Sequence, residues 1–174
     1  MDDEKVLTEA EIEKYMRLAF DQAKIAEAKN EVPIGAVVID PDGNVVGEGY
    51  NRRELDQDAT QHAEIIAIRQ ACEKIGYWRL IDCCIFVTLE PCPMCAGAII
   101  NSRIKNVYFG AFDPKAGAAG SVVDLFGEAK FNHHPNVYSG ILQEEAGSLL
   151  TNFFRAIRKQ QKLAKKNPDS GKKD

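Results

Sequence analysis

Two short runs in this chain of 174 residues carry the side chains that most often hold a metal. One is His62-Ala63-Glu64. The other is Pro91-Cys92-Pro93-Met94-Cys95. The Cys-x-x-Cys spacing alone is open to three readings: a redox pair at a helix start, half of a zinc knuckle, or part of a catalytic metal site. A knuckle needs a second spaced pair, and Cys83-Cys84 is adjacent instead. A redox pair leaves His62 and Glu64 without a role.

The third reading uses all four residues. His62, Cys92 and Cys95 would supply three ligands and leave one position open, the form of catalytic zinc. Two thiolates and a neutral imidazole balance the charge of Zn²⁺, and a helix N-terminus further favours the thiolates. The open position would hold a water whose pKa the metal lowers. Two thiolates weaken the ion as a Lewis acid, so a nearby base should help, and Glu64 is the candidate. Residues two apart on a helix face different ways, which suits Glu64 to the water rather than to the metal.

The elements around these residues read as follows. Thr8-Glu9-Ala10-Glu11 is a capping box that starts a first helix, with Ile12, Tyr15, Met16, Ala19 and Ala23 on its apolar face. Val32–Ile39 and Val45–Tyr50 form a hairpin around the turn Pro41-Asp42-Gly43. A helix over 60–74 ends at Gly76. Ile81–Leu89 is a continuous apolar strand, so it is expected at the centre of the sheet. A helix opens at Pro93, the favoured first position for proline. Asn106–Ala111 is a strand, Val122–Phe126 a short helix and Val137–Leu142 a last short strand. The final helix runs over 144–165. This alternation predicts an α/β fold, a three-layer α/β/α sandwich on a mixed five-stranded sheet.

Residues 1–166 read as one domain and 167–174 as a basic, disordered tail. The composition, 45% hydrophobic and 28% charged, is that of a globular chain large enough to fold without metal staples. The acidic N-terminus is not a signal peptide, and no apolar run reaches membrane-spanning length. Five cysteines, an odd number, point to reduced thiols in a cytoplasm. The net charge is −4, yet the stretch from Arg155 onward carries +6 and leaves −10 on the rest. That asymmetry fits a local basic contact patch or a solubilising helix end.

The runs Glu31-Val-Pro-Ile-Gly-Ala-Val, Gly47-Glu-Gly-Tyr-Asn, His62-Ala-Glu-Ile and Thr88-Leu-Glu-Pro-Cys-Pro-Met-Cys-Ala-Gly-Ala-Ile resemble the zinc-dependent cytidine and nucleobase deaminase superfamily. The run from Phe109, Phe-Gly-Ala-Phe-Asp-Pro-Lys-Ala-Gly-Ala-Ala-Gly-Ser, is similar to the bacterial tRNA-specific adenosine deaminases within it. The resemblance spans roughly Glu11 to Lys165. It implies a cytidine-deaminase-like fold and a zinc-dependent hydrolase with one Zn²⁺ per subunit. The implied reaction is hydrolytic deamination of adenosine to inosine at the wobble position of a tRNA(Arg) ACG anticodon, with Glu64 as proton shuttle. It implies Asn51 at the purine edge, the Ala63 backbone at the exocyclic position, Val32 and Leu89 as apolar walls, and Asp113 at the flanking nucleotides. Position alone would also make Asn51 and Asp113 turn residues, and Val32 and Leu89 core. The basic Arg155–Lys166 face, with Arg52 and Arg53, would meet tRNA phosphates. The family is homodimeric, and Ala96-Gly97-Ala98-Ile99-Ile100 reads as an interface helix or as one packed on the sheet. The alternatives are a deaminase of free bases or nucleosides, an RNA-binding module with structural zinc, and a redox protein.

Overall fold

The computed structural model describes residues 5–167. Helix α1 spans Glu9–Ala28, strand β1 Gly35–Ile39 and strand β2 Val45–Tyr50. Helix α2 spans Ala63–Ile75, β3 Cys84–Leu89, α3 Pro93–Asn101 and β4 Asn106–Ala111. The last strand, β5, spans Asn136–Tyr138, and α4 covers Gln143–Lys166. The sheet order is β2-β1-β3-β4-β5. Strand β1 is antiparallel to both neighbours, while β3, β4 and β5 are parallel. The expected mixed five-stranded sheet is therefore what forms, with β3 in its centre.

Side-chain alternation builds the layers. Along β1, Ala36 and Val38 face one side and Val37 and Ile39 the other. The first side meets Ala63, Ala67 and Ala71 of α2 and Ala96, Ile99 and Ile100 of α3. The second meets Tyr15, Met16, Ala19 and Phe20 of α1 and Ala146 of α4. Ile99 and Ile100 of α3 thus pack into the core, while Gly97 and Ala98 are half-exposed.

The capping box of α1 forms as read: Thr8 Oγ1 accepts from Glu11 N–H at 3.2 Å, and Glu11 Oε2 accepts from Thr8 N–H at 2.8 Å. Gly76 takes the left-handed conformation (φ 79°) that ends α2. Five sequence readings change. Helix α2 begins at Ala63 rather than residue 60, because Asp58 holds Thr60 in a turn. The last strand covers Asn136–Tyr138 rather than Val137–Leu142, because Gly140 (φ 77°) and Leu142 (φ 52°) turn the chain into α4. Strand β1 begins at Gly35 rather than Val32, because Pro33 has no N–H to give a ladder. Strand β3 begins at Cys84, after a turn in which Asp82 has φ 59°. The short helix expected over 122–126 does not form. Instead Ala119 bridges Asp124, and Asp124 accepts from Gly127 N–H, in irregular turns. Of the expected tail, only Asn167 falls among the described residues. No helix among the described residues is long and apolar enough to cross a membrane.

One contact sets the depth of α2. A Cβ on Gly47 of β2 would collide with the Ala67 carbonyl oxygen, and one on Gly49 would lie 2.5 Å from the Ala63 carbonyl oxygen. The two glycines let the helix rest directly on the strand. Gly47→Ala should cost about 1–3 kcal/mol, the usual penalty of overpacking. Urea denaturation of the variant against the parent chain would show it as a lower midpoint at unchanged slope.

Candidate metal centre and substrate cavity

Strands β2 and β3 both run antiparallel to β1, so they point the same way, and β4 is parallel to β3. All three exits lie at one end of the sheet. The chain leaves β2 and enters α2 at His62; it leaves β3 and enters α3 at Cys92. Carboxyl ends of strands facing helix starts are where such sheets place ligands.

His62 and Cys92 are the N-cap residues of their helices, both with extended backbone (ψ 153° and 172°), and neither side chain caps its helix. They turn towards each other instead. His62 Nδ1 lies 3.6 Å from Cys92 Sγ and 3.5 Å from Cys95 Sγ. The three donor atoms lie within 4.8 Å of one another, and they are the one such group among the described residues. Tetrahedral zinc with ordinary Zn–S and Zn–N bonds sets its sulfur and nitrogen ligands about 3.5–3.6 Å apart. The donor set therefore fits zinc in both chemistry and spacing. Cys95 is fully buried; His62 and Cys92 are half-buried.

The electrostatics favour a thiolate at Cys92 and a thiol at Cys95. A hydrogen bond from Cys95 draws the Cys92 thiol down to about 4, with His62 adding to the effect. The same bond, donated by Cys95, pushes the Cys95 thiol up, together with burial. The Cys92 sulfur raises His62. Glu64, in the first turn of α2, is only 4% exposed, and desolvation raises its pKa.

Glu64 faces a cavity of about 440 Å³. Every residue that the family resemblance implied at the substrate lines it: Val32, Asn51, Ala63, Leu89 and Asp113, together with His62 and Cys92. Asn51 donates from Nδ2 to the Val32 carbonyl at 3.2 Å and accepts at Oδ1 from Arg53 N–H at 3.1 Å. These bonds fix the amide plane and use half of its four hydrogen-bonding positions. Ala63 is the first helical residue, whose N–H has no acceptor within the helix. Asp113 Oδ1 caps its own turn, accepting from Lys115 and Ala116 N–H at 3.0 and 3.2 Å. It is a turn residue and a cavity residue at once.

The two arginines separate. Arg52 pairs with Asp56 at 2.9 Å and lies over the Tyr50 ring at 5.3 Å. Arg53 lines the cavity and has only a loose 3.9 Å ion pair with Glu54. Sequence reasoning passed over Glu90, Phe112, Leu150 and Phe154, which also line the cavity. Leu150 and Phe154 had a signal, an apolar pair four apart on a helix that turns basic immediately afterwards. The α4 residues Arg155, Arg158, Lys159, Lys162, Lys165 and Lys166 are all exposed.

Residues 10–158 match the MafB19-like deaminase family. A tRNA-specific adenosine deaminase of Bacillus subtilis (strain 168) is 50% identical over 155 residues, covering 89% of this chain and 96% of the relative. The enzyme of that name from Haemophilus influenzae (strain ATCC 51907 / DSM 11121 / KW20 / Rd) is 47% identical over 165 residues, 95% of each chain. A solved structure from a study of tRNA:A34 deaminases, concerned with A-to-I editing at the wobble position of transfer RNA, aligns with a TM-score of 0.76. It is 46% identical, and the match covers 79% of this chain and 99% of that one.

The donor set makes a spectroscopic prediction. Metal-free protein given equimolar Co²⁺ should develop thiolate-to-cobalt charge-transfer bands in the near ultraviolet. A Cys92→Ala/Cys95→Ala double variant should not.

Proposed function

The chain belongs to the MafB19-like deaminases and to the tRNA-specific adenosine deaminases, and from that premise we propose that it converts adenosine to inosine hydrolytically at the wobble position of a tRNA(Arg) with an ACG anticodon. The observation that carries the reading is buried Glu64 facing the cavity beside His62, Cys92 and Cys95. A purely structural zinc has no use for such a carboxylate.

In this reading His62 Nδ1 and the two sulfurs hold one Zn²⁺ per subunit. When bound, the ion supplies Lewis acidity that brings a water towards deprotonation near neutral pH. Glu64 takes one proton from the water that attacks C6 and delivers it to N1 of the purine; it then carries the remaining proton of the new C6 hydroxyl to the amino group, so that the C6–N bond breaks and ammonia leaves. Its desolvation suits this work, because a carboxylate raised towards neutral pH both accepts and releases protons readily. The catalytic residue is Glu64, and the other groups orient the base. Asn51 has an N–H and a lone pair left for the purine edge, the Ala63 backbone meets the exocyclic position, and Val32 and Leu89 flank the ring. Asp113 meets the flanking nucleotides.

An anticodon loop suits the cavity because its bases splay out without opening a duplex. Arg53 and the basic face of α4 meet phosphates at the rim; Arg52 is held by Asp56 and serves the 51–62 loop instead. We further propose a homodimer, with the half-exposed Gly97 and Ala98 of α3 at the contact, and a cytoplasmic setting, in keeping with five free cysteines. Residues 1–166 form the deaminase domain.

Incubation with a tRNA(Arg) carrying an ACG anticodon, followed by sequencing, should show inosine at the wobble position. Activity on free guanine or cytosine without inosine in the tRNA sinks the proposal. Glu64→Ala should keep its zinc and lose about 10²–10⁴-fold in turnover. Replacing Arg158, Lys162 and Lys165 together should flatten the slope of log affinity against log salt by about 2, at ~0.7 per lost phosphate contact.

A further inference from the structure

Glu90 stands between the last residue of β3 and the Pro91-Cys92 turn, and it is 2% exposed. It donates no side-chain bond and receives four. Oε1 accepts from Asp113 N–H at 3.2 Å and from the Ser121 hydroxyl. Oε2 accepts from Ala119 N–H at 3.0 Å and from Ser121 N–H at 3.2 Å. Four donors fill the lone-pair positions of one carboxylate. Its main chain joins in: Glu90 N–H donates to the Ala111 carbonyl at 2.8 Å, and the neighbouring Pro91 carbonyl accepts from Ala118 N–H at 2.8 Å.

Both ends of the 112–121 loop are thus tied to the two residues that precede Cys92. Between the ties, the loop presents Asp113, Lys115 and Ala116 to the cavity. Gly117 packs directly against the carboxylate. A Cβ there would collide with Glu90 Oε2 and lie 2.6 Å from the Asp113 carbonyl oxygen. The Asp113 cap on Lys115 and Ala116 shapes the cavity-facing turn; Phe112, edge-on to Phe109 of β4 at 5.3 Å, and buried Ala118 add apolar anchorage beside the carboxylate ties.

We propose that Glu90 is a positioning residue: it holds the 112–121 loop at a fixed height over the cavity, so that the metal-ligand turn and the surface for flanking nucleotides move as one body. The proposal rests on the functional reading above for what the loop touches, but not for the tether itself. Glu90→Gln replaces two acceptor positions with N–H donors that face other donors. Gly117→Ala pushes the carboxylate away while leaving it chemically intact. The two variants should therefore behave alike, and Ser121→Ala should show a weaker form of the same change.

Amide hydrogen exchange reads the tether with no substrate present. The amides of Asp113, Ala119 and Ser121 should exchange about tenfold faster or more in Glu90→Gln and Gly117→Ala. Unchanged protection in both overturns the proposal. With a tRNA anticodon stem-loop as substrate, both variants should keep their zinc and lose up to ~10²-fold in kcat/KM, chiefly through KM. Making the nucleotide next to the target abasic should then penalise the parent enzyme and leave Glu90→Gln almost unaffected. A loss confined to kcat, or a loss of zinc, would mean that Glu90 serves the metal centre and overturns the positioning role. Faster exchange in a chain whose unaltered form makes no inosine would sink the functional reading and leave the tether standing. Should Glu90→Gln fail to fold, the exchange pattern of Ser121→Ala decides, since it removes one hydroxyl and no charge.

Discussion

Three strands leaving the sheet in the same direction are what the site is built on. Strand β1 lies antiparallel between β2 and β3, and that places the exits of β2, β3 and β4 together. The histidine and the two cysteines come from different segments of the chain, and they meet because their helices must both start at this end. The glycines of β2 then decide how far down α2 sits, and hence how far Glu64 reaches below the surface. The chemistry is positioned by backbone geometry before any side chain contributes.

Charge is distributed in accord with this. The body of the chain is acidic and the final helix is basic, and α4 meets the cavity through Leu150 and Phe154 just before its basic run begins. A polyanion approaching the molecule is repelled by most of its surface and drawn to one face. Steering of this kind raises the encounter rate without adding contacts to the reacting base.

Much of the candidate site was legible in the sequence, because metal ligation would need particular side chains at particular spacings. His62, Cys92 and Cys95 could be grouped before any fold was known, and Pro93 and Gly76 marked the helix ends through their own backbone limits. The five residues implied at the substrate could be named only through family resemblance; periodicity alone makes Val32 and Leu89 core. What stayed hidden was set by tertiary contact. Five residues over 122–126 are too few to nucleate a helix on their own, and the bridge from Ala119 to Asp124 and the Gly127 turn hold them otherwise. Glu90 gave no signal, because nothing in Leu-Glu-Pro-Cys reveals that the partners of its carboxylate lie more than twenty residues on, at Asp113, Ala119 and Ser121.

The uncapped starts of α2 and α3 carry a cost. At these positions Ser, Asp or Asn would stabilise the helix, while histidine and cysteine leave its first amides without a side-chain partner. The same two first turns carry Glu64 and Cys95. A variant library ranked on thermal stability without metal would therefore enrich Cys92→Ser and His62→Asp, and so select the loss of the candidate metal site as an improvement. For this fold, hardening the scaffold and keeping its reactivity pull against each other at the same two residues.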